Sequence, residues 1–340
     1  MVEATSEGLK REITGGAYGL TNEFHYAKLL AGLMRKGQVM RTAAKAIDDS
    51  IYAQRAQYHD PENAFLFKWS PVPRRQFLAE RDRAMDPATG TAEIPLDSSD
   101  ALMTGYPATT PMILCRYLRI AAGEWIDCKY RASGEIYYVM SGSGESENGD
   151  DRLAWGAGDL FCFPGGRQTS HAARDDALLF AITNEPQLSF ERLEAPKPGE
   201  AVIQTVHFPA AEIARRFEVV YARPKTGTES GRAILFSTAA VGECTNLLPS
   251  INVAINTLEP GGDQRPHRHN GVAVTLALQG DGVHSMIEDE KIDWSVGAAQ
   301  ITPPADLHSH HNRGSDRMIS LVIQDEGLHY YTRTPGFSWD

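Results

Sequence analysis

Residues 261–280 read GGDQRPHRHNGVAVTLALQG, and residues 297–312 read GAAQITPPADLHSHHN. In the first stretch five residues separate Gly261 from His267, and His269 follows two positions later. In the second, five residues separate Gly297 from Pro303, and His308 and Asn312 come after it. Residues two apart on a strand point to the same side, so His267 and His269 share a face. His308 arrives on another glycine-marked strand. Three imidazoles from two strands, meeting inside a small β unit, can cap one face of a metal ion and leave the opposite positions open. The surroundings support strands. β-prone runs at 251–258, 272–279, 283–288, 298–302 and 317–323 are cut by turns such as EPGG and QGDG. Many short strands with Gly-rich corners indicate a sandwich or small barrel rather than a βαβ unit.

The pattern occurs twice. Gly123 matches Gly261, Gly142 matches Gly280 and Gly158 matches Gly297. Trp155 and Trp294 each precede the last of these glycines by three residues, and Pro164 and Pro303 follow it by six. The offset is 138 or 139 residues throughout, which predicts two copies of one β domain. Around them, apolar residues at helical spacing in 22–56 predict one or two amphipathic helices. EAPKPGE at 194–200 reads as a linker, and PAAEIARRFEVV at 209–220 as a short helix. The expected boundaries are a helical extension and linker over 1–98, a first β domain over 99–193 and a second over 203–335.

Composition bounds the function. The 33 basic and 44 acidic side chains leave a net charge of −11, which disfavours nucleic-acid or anionic-membrane partners, since these want a basic face. No run of 18 apolar residues is present to span a membrane, and the first 25 residues show no secretory signal. Cys115, Cys128, Cys162 and Cys244 have no metal spacing and fit reduced thiols in a cytoplasmic protein.

The motif G-x5-H-x-H…G followed by G-x5-P-x4-H-x3-N resembles the paired motifs of the cupin superfamily. The two copies with a helical extension resemble a bicupin of the gentisate 1,2-dioxygenase and salicylate-type ring-cleaving family, as does the ending LVIQDEGLHYYTR. The resemblance covers roughly residues 100–335. It implies a mainly β fold of two jelly-roll cupin barrels in tandem, with one Fe(II) per subunit, or another divalent metal, held by His267, His269 and His308 in the C-terminal cupin. It implies an extradiol-type dioxygenase that opens the ring of a hydroxylated aromatic carboxylate, with bidentate chelation of the substrate and O2 as co-substrate. A homo-oligomer is also expected.

Departures from the family pattern refine this. Many cupins place a Glu ligand four residues after the second histidine, where this chain has Ala273. Three neutral imidazoles leave Fe(II) at +2, which favours a dianionic, bidentate substrate. In the first copy the same register gives Lys129, Arg131 and Thr169 in place of the histidines, with Glu135 retained. That copy is expected to be metal-free, with Lys129 or Arg131 either paired to Glu135 or forming an anion pocket. An Arg that holds the substrate carboxylate in the gentisate family is Thr275 here, and Arg265, on the face of His267, is a candidate replacement at the barrel mouth. Asn252 and Asn256 alternate inward as substrate contacts. His310 is a candidate acid/base or hydrogen-bond donor, or a structural residue, because His171 occupies its place in the first copy. Arg268 and His311 point away, and His284 is structural. The alternatives are another three-His reaction on a diketone or thiol, a non-redox isomerase or decarboxylase using Mn, Zn, Ni or Co, and a binding bicupin without turnover.

Overall fold

The computed structural model describes residues 50–58, 69–224, 231–242, 244–334 and 336–339. Contacts divide the chain into Met1–Lys68 and Trp69–Asp340. In the first unit the described residues hold one short helix, Ile51–Arg55, started by Ser50, whose hydroxyl accepts from the Ala53 N–H at 3.0 Å. The rest of the helical stripe expected over 22–56 lies outside the described residues.

The second unit is mainly β and every strand pairing is antiparallel. A six-stranded sheet runs Ala92–Pro95, Leu114–Ile120, Ala177–Thr183, Gly134–Ser141, Leu160–Pro164, Val206–Phe208. A four-stranded sheet runs Trp125–Cys128, Thr169–Ala173, Ser143–Asn148, Asp151–Gly156. The downstream half repeats this plan. One five-stranded sheet runs Arg232–Phe236, Asn252–Leu258, Met318–Gln324, Ala273–Gln279, Ala299–Thr302. The other runs Glu290–Asp293, Val283–Ile287, His308–Asn312, His267–His269, Phe337–Trp339. The repeat extends to irregularities: the register shifts between Val139 and Ser141 in one copy and between Ala277 and Gln279 in the other. Gly142 and Gly280 turn the chain just beyond these shifts with φ of +84° and +138°, and a Cβ at Gly142 would lie 2.5 Å from the Asp176 carbonyl oxygen.

The structure corrects the expectation of two closed jelly-roll barrels. Among the described residues no sheet closes on itself, and each of the four sheets ends in two edge strands. Glycine corners pass the chain from one sheet to its partner, but no ladder joins the sheet edges, and closure requires such a ladder. Each half is therefore a pair of open sheets.

Strand alternation divides the downstream half into a dry face and a wet one. Val253, Ile255, Val274, Leu276, Ala299, Ile301, Leu321 and Ile323 join one buried cluster with Ile136, Tyr138, Leu160, Cys162, Phe180 and Ile182 of the six-stranded sheet. The largest core thus lies between the two halves. The buried Tyr117 hydroxyl crosses it to donate to the Gly297 carbonyl at 2.7 Å. Upstream chain seals one edge: Phe77 N–H donates to Ala299 O at 2.9 Å, and Ile301 N–H to Arg75 O at 2.8 Å. The helix Leu78–Met85 follows and buries Ala84 in the same cluster. The remaining expected segments take simple forms: 194–200 has no helix or strand, and Ala210–Ala222 is a helix.

Candidate metal centre

The residues opposite the dry face, with those of the facing sheet, line a cavity of about 210 Å³. Asn252, Ala254 and Asn256 come from one strand, Ala273 and Thr275 from the next, and Val322 and Gln324 from the strand between them. The facing sheet contributes His267, His269, His308 and His310.

His267 and His308 are cross-strand partners, and His269 lies one pleat further along. Their rings converge, with centroids 4.2 Å (His267 to His308) and 4.6 Å (His269 to His308) apart. One ligand atom from each lies within 4.8 Å of the others. Each Nδ1 faces a backbone carbonyl two residues away: Arg265 O at 3.0 Å, Gly271 O at 2.7 Å and Asp306 O at 2.9 Å. A carbonyl only accepts, so each Nδ1 carries the proton and each Nε2 is left as a lone pair. Burial pushes all three below the ordinary imidazole value, His267 to about 4, which keeps them neutral at pH 7. The Nε2 atoms of His269 and His308 stand 3.1 Å apart. Neither Nε2 has a proton to donate to the other, so a contact this short is unfavourable and a shared cation would relieve it. The donor set therefore fits a divalent metal, and it is the sole such cluster among the described residues.

The structure also gives His310 a defined tautomer. The Trp294 indole N–H donates to Ser285 Oγ at 2.7 Å, and the Gln300 amide also donates to it, at 2.5 Å. With both acceptor positions filled, the Ser285 hydroxyl donates to His310 Nδ1 at 2.9 Å. His310 Nε2 then carries a proton at the cavity wall. The same relay of Trp155, Ser146 and His171 recurs in the first copy, at 2.7 and 2.6 Å. The serine escaped the sequence reading, although Ser146 and Ser285 stand at the same 139-residue offset as the tryptophans.

Asn252, Asn256 and Thr275 line the cavity. Arg265 is exposed, outside the lining, with its guanidinium 5.3 Å from the Trp339 ring centroid. Arg268 points away, donating to Glu288 and to Ala305 O, both at 2.7 Å. His311 meets Asp263 at 2.5 Å and stacks on His284 at 4.9 Å. Sequence reading missed Gln324, Glu326, Gln264, Tyr330 and Phe337, all in the lining. Gln264 sits at one of the unspecified positions between Gly261 and His267, and the others lie outside the paired motifs. Those others arrive through cross-strand register and through the strand Phe337–Trp339 folding back beside His267–His269.

In the first copy the expected positions shift by one. Cys128 lies opposite Thr169, as His267 lies opposite His308, so Cys128 and Tyr130 replace the histidines. Both are buried, while Lys129 is exposed and Arg131 reaches out to Leu193 O at 2.6 Å. One residue of slip reverses every side chain. Glu135 instead accepts from Tyr137 and Thr169, each at 2.7 Å. Tyr137, Phe161 and Phe163 fill this interior, with Tyr137 and Phe161 stacked at 5.1 Å.

One copy of a duplicated pair of antiparallel sheets carries three inward histidines, an arrangement that could hold a metal ion. Residues 254–324 match the cupin domain family. Over 140 residues the chain is 30% identical to a 5-aminosalicylate 1,2-dioxygenase of Comamonas sp, covering 38% of this chain and 34% of that protein. Over 149 residues it is 27% identical to a gentisate 1,2-dioxygenase of Ralstonia sp, covering 44% and 38%. The chain thus spans little more than a third of the length of these curated relatives. Among solved structures, a salicylate 1,2-dioxygenase from Pseudoaminobacter salicylatoxidans in adducts with gentisate superimposes with a TM-score of 0.69 at 12% identity, over 88% of this chain and 94% of that one. This last likeness is one of fold. Residues 254–324 thus match a cupin domain, part of the chain is related in sequence to the two 1,2-dioxygenases named above, and its fold is like that of the salicylate enzyme.

Proposed function

We propose that the protein is an Fe(II)-dependent dioxygenase that opens the ring of a small aromatic acid bearing adjacent hydroxyl and carboxylate groups. The observation that carries the reading is the convergence of three neutral Nε2 lone pairs in a closed-in cavity. Iron(II) held there would supply a site for substrate chelation and for dioxygen. His267, His269 and His308 would hold it, and no other protein group needs to act as nucleophile. His310 presents its N–H to the cavity and is suited to donate to a substrate oxygen. Asn252, Asn256 and Thr275 offer neutral hydrogen-bonding groups that orient the ring.

Cavity size supports a single ring. A pocket of about 150 Å³ accommodates benzene, so about 210 Å³ suits one ring with small substituents. The partial likeness to enzymes named for 5-aminosalicylate and gentisate points the same way. One observation favours a second reading. Among the described residues the lining contains no Arg or Lys, so a carboxylate would rely on the metal and on N–H donors. A less charged diketone substrate would suit this lining equally.

Oxygen uptake by the iron-loaded protein tests the proposal. Consumption with gentisate, salicylate or their amino derivatives, with loss of the aromatic absorption band, is the expected result. Uptake with diketones alone would favour the second reading. No uptake across the panel would overturn dioxygenase function for these substrates.

A further inference from the structure

The side chain of Gln324 enters the metal centre. Gln324 ends its strand directly opposite Ala273 on one side and Asn252 on the other. Thr302 pairs with Ala273 beyond, so Thr302, Ala273, Gln324 and Asn252 form one row across the sheet. The small methyl of Ala273 leaves room above the row, and the Gln324 amide occupies it. Its terminal nitrogen stands 3.2 Å from His269 Nε2, and its oxygen accepts from the Asn252 amide at 3.1 Å.

The position of the amide is informative. His269 Nε2 has a single lone pair, since Nδ1–H is committed to Gly271 O. Gln324 donates to that lone pair. A metal on His269 would take the lone pair and place positive charge beside the amide N–H, which would then repel it. Turning the amide over exchanges its nitrogen and oxygen without moving another atom. If Asn252 turns with it, the bond between them survives with Gln324 as donor, because the Asn252 oxygen is otherwise buried and unpartnered. The Gln324 oxygen then faces the point on which the imidazoles converge. Neighbouring ligands of an octahedral ion with bonds of about 2.1 Å lie about 3.0 Å apart. The contacts from His269 Nε2 to His308 Nε2 (3.1 Å) and to the Gln324 amide (3.2 Å) match that separation.

We infer that Gln324 is a fourth protein ligand, binding the metal through its amide oxygen, with Asn252 as the residue that fixes the amide's orientation. The inference rests on the metal-site reading above. A neutral oxygen ligand keeps the centre at the metal's own +2 charge, unlike a carboxylate, and still narrows the positions open to exogenous molecules.

The test reads metal binding rather than turnover, on the full chain loaded with Co(II) and titrated against a chelator. Gln324→Leu is expected to bind Co(II) at least tenfold more weakly, with stronger visible d–d bands as the coordination number drops. Gln324→Glu, which keeps the shape and an oxygen, is expected to bind at least as tightly as the parent. A Leu variant with parental affinity and parental bands would overturn the inference alone. If that variant does not fold, the Glu variant decides: bands identical to the parent's, with unchanged affinity, would overturn the inference. A parent chain that takes up no divalent ion would overturn the metal-site reading together with it.

Discussion

Glu135 shows how a single residue departs from its sequence expectation. It is fully buried, its nearest donors are neutral hydroxyls, and burial pushes its carboxyl from 4.5 up to about 7 against the opposing hydrogen bonds from Thr169 and Tyr137. The folded state therefore holds a proton that the unfolded chain releases near pH 4.5. The stability this represents is full below pH 4.5 and is lost as pH rises through 7. Relative to Glu135→Gln, the parent should lose on the order of 3 kcal/mol of unfolding free energy between pH 4.5 and 8. Urea unfolding across that range checks it, and parallel profiles would contradict it. Lys129 and Arg131 were legible only as residue types. Aligning glycines fixed the repeat but not the single-residue shift before Glu135, and strand parity converts such a shift into inside versus outside. The three histidines escaped this ambiguity because their own spacing sets their parity. Gln324 carried no comparable signal, since its place depends on register with Ala273 across the sheet.

At the scale of elements, the strand Phe337–Trp339 covers the metal strand. Trp339 pairs with His267 and Phe337 with His269, and the Phe337 ring stacks on the His267 ring at 5.1 Å and 27°. Among the described residues this strand has no counterpart in the four-stranded sheet of the first copy, so the internal repeat gave no cue to it. Phe337 is half exposed, so its removal should cost little global stability. Its effect should fall on His267, whose ring loses its backing and gains solvent. Phe337→Ala is expected to release bound metal roughly three- to tenfold faster under chelator challenge, with an unchanged circular dichroism spectrum. A parental release rate would mean the strand does not hold the ligand in place. The glycine and proline punctuation, by contrast, made most of the strands readable, because turn chemistry is local. Sheet closure was not readable, because it depends on pairing between edges far apart in sequence.

The unit Trp69–Asp340 sets two copies of one strand order back to back across a shared core, and among the described residues a three-histidine cluster stands in the second copy alone. In the first copy Cys128, Tyr130 and Thr169 stand at the ligand positions, and aromatic side chains occupy the interior. Burial raises the Cys128 thiol to about 12, which removes it as a thiolate ligand near neutral pH. The duplication was legible from glycines, tryptophans and prolines at a constant offset. That the two copies bury their largest core against each other was not, because alternation along a strand separates its faces without saying which element each face meets. A single three-histidine cluster among the described residues implies one metal ion per chain. The most direct measurement is elemental analysis of metal bound to the full chain purified without oxygen or chelators, beside His308→Ala purified in the same way. One equivalent of divalent metal per parent chain and almost none in the variant is the predicted result. Full occupancy in His308→Ala would contradict the assignment of the three histidines.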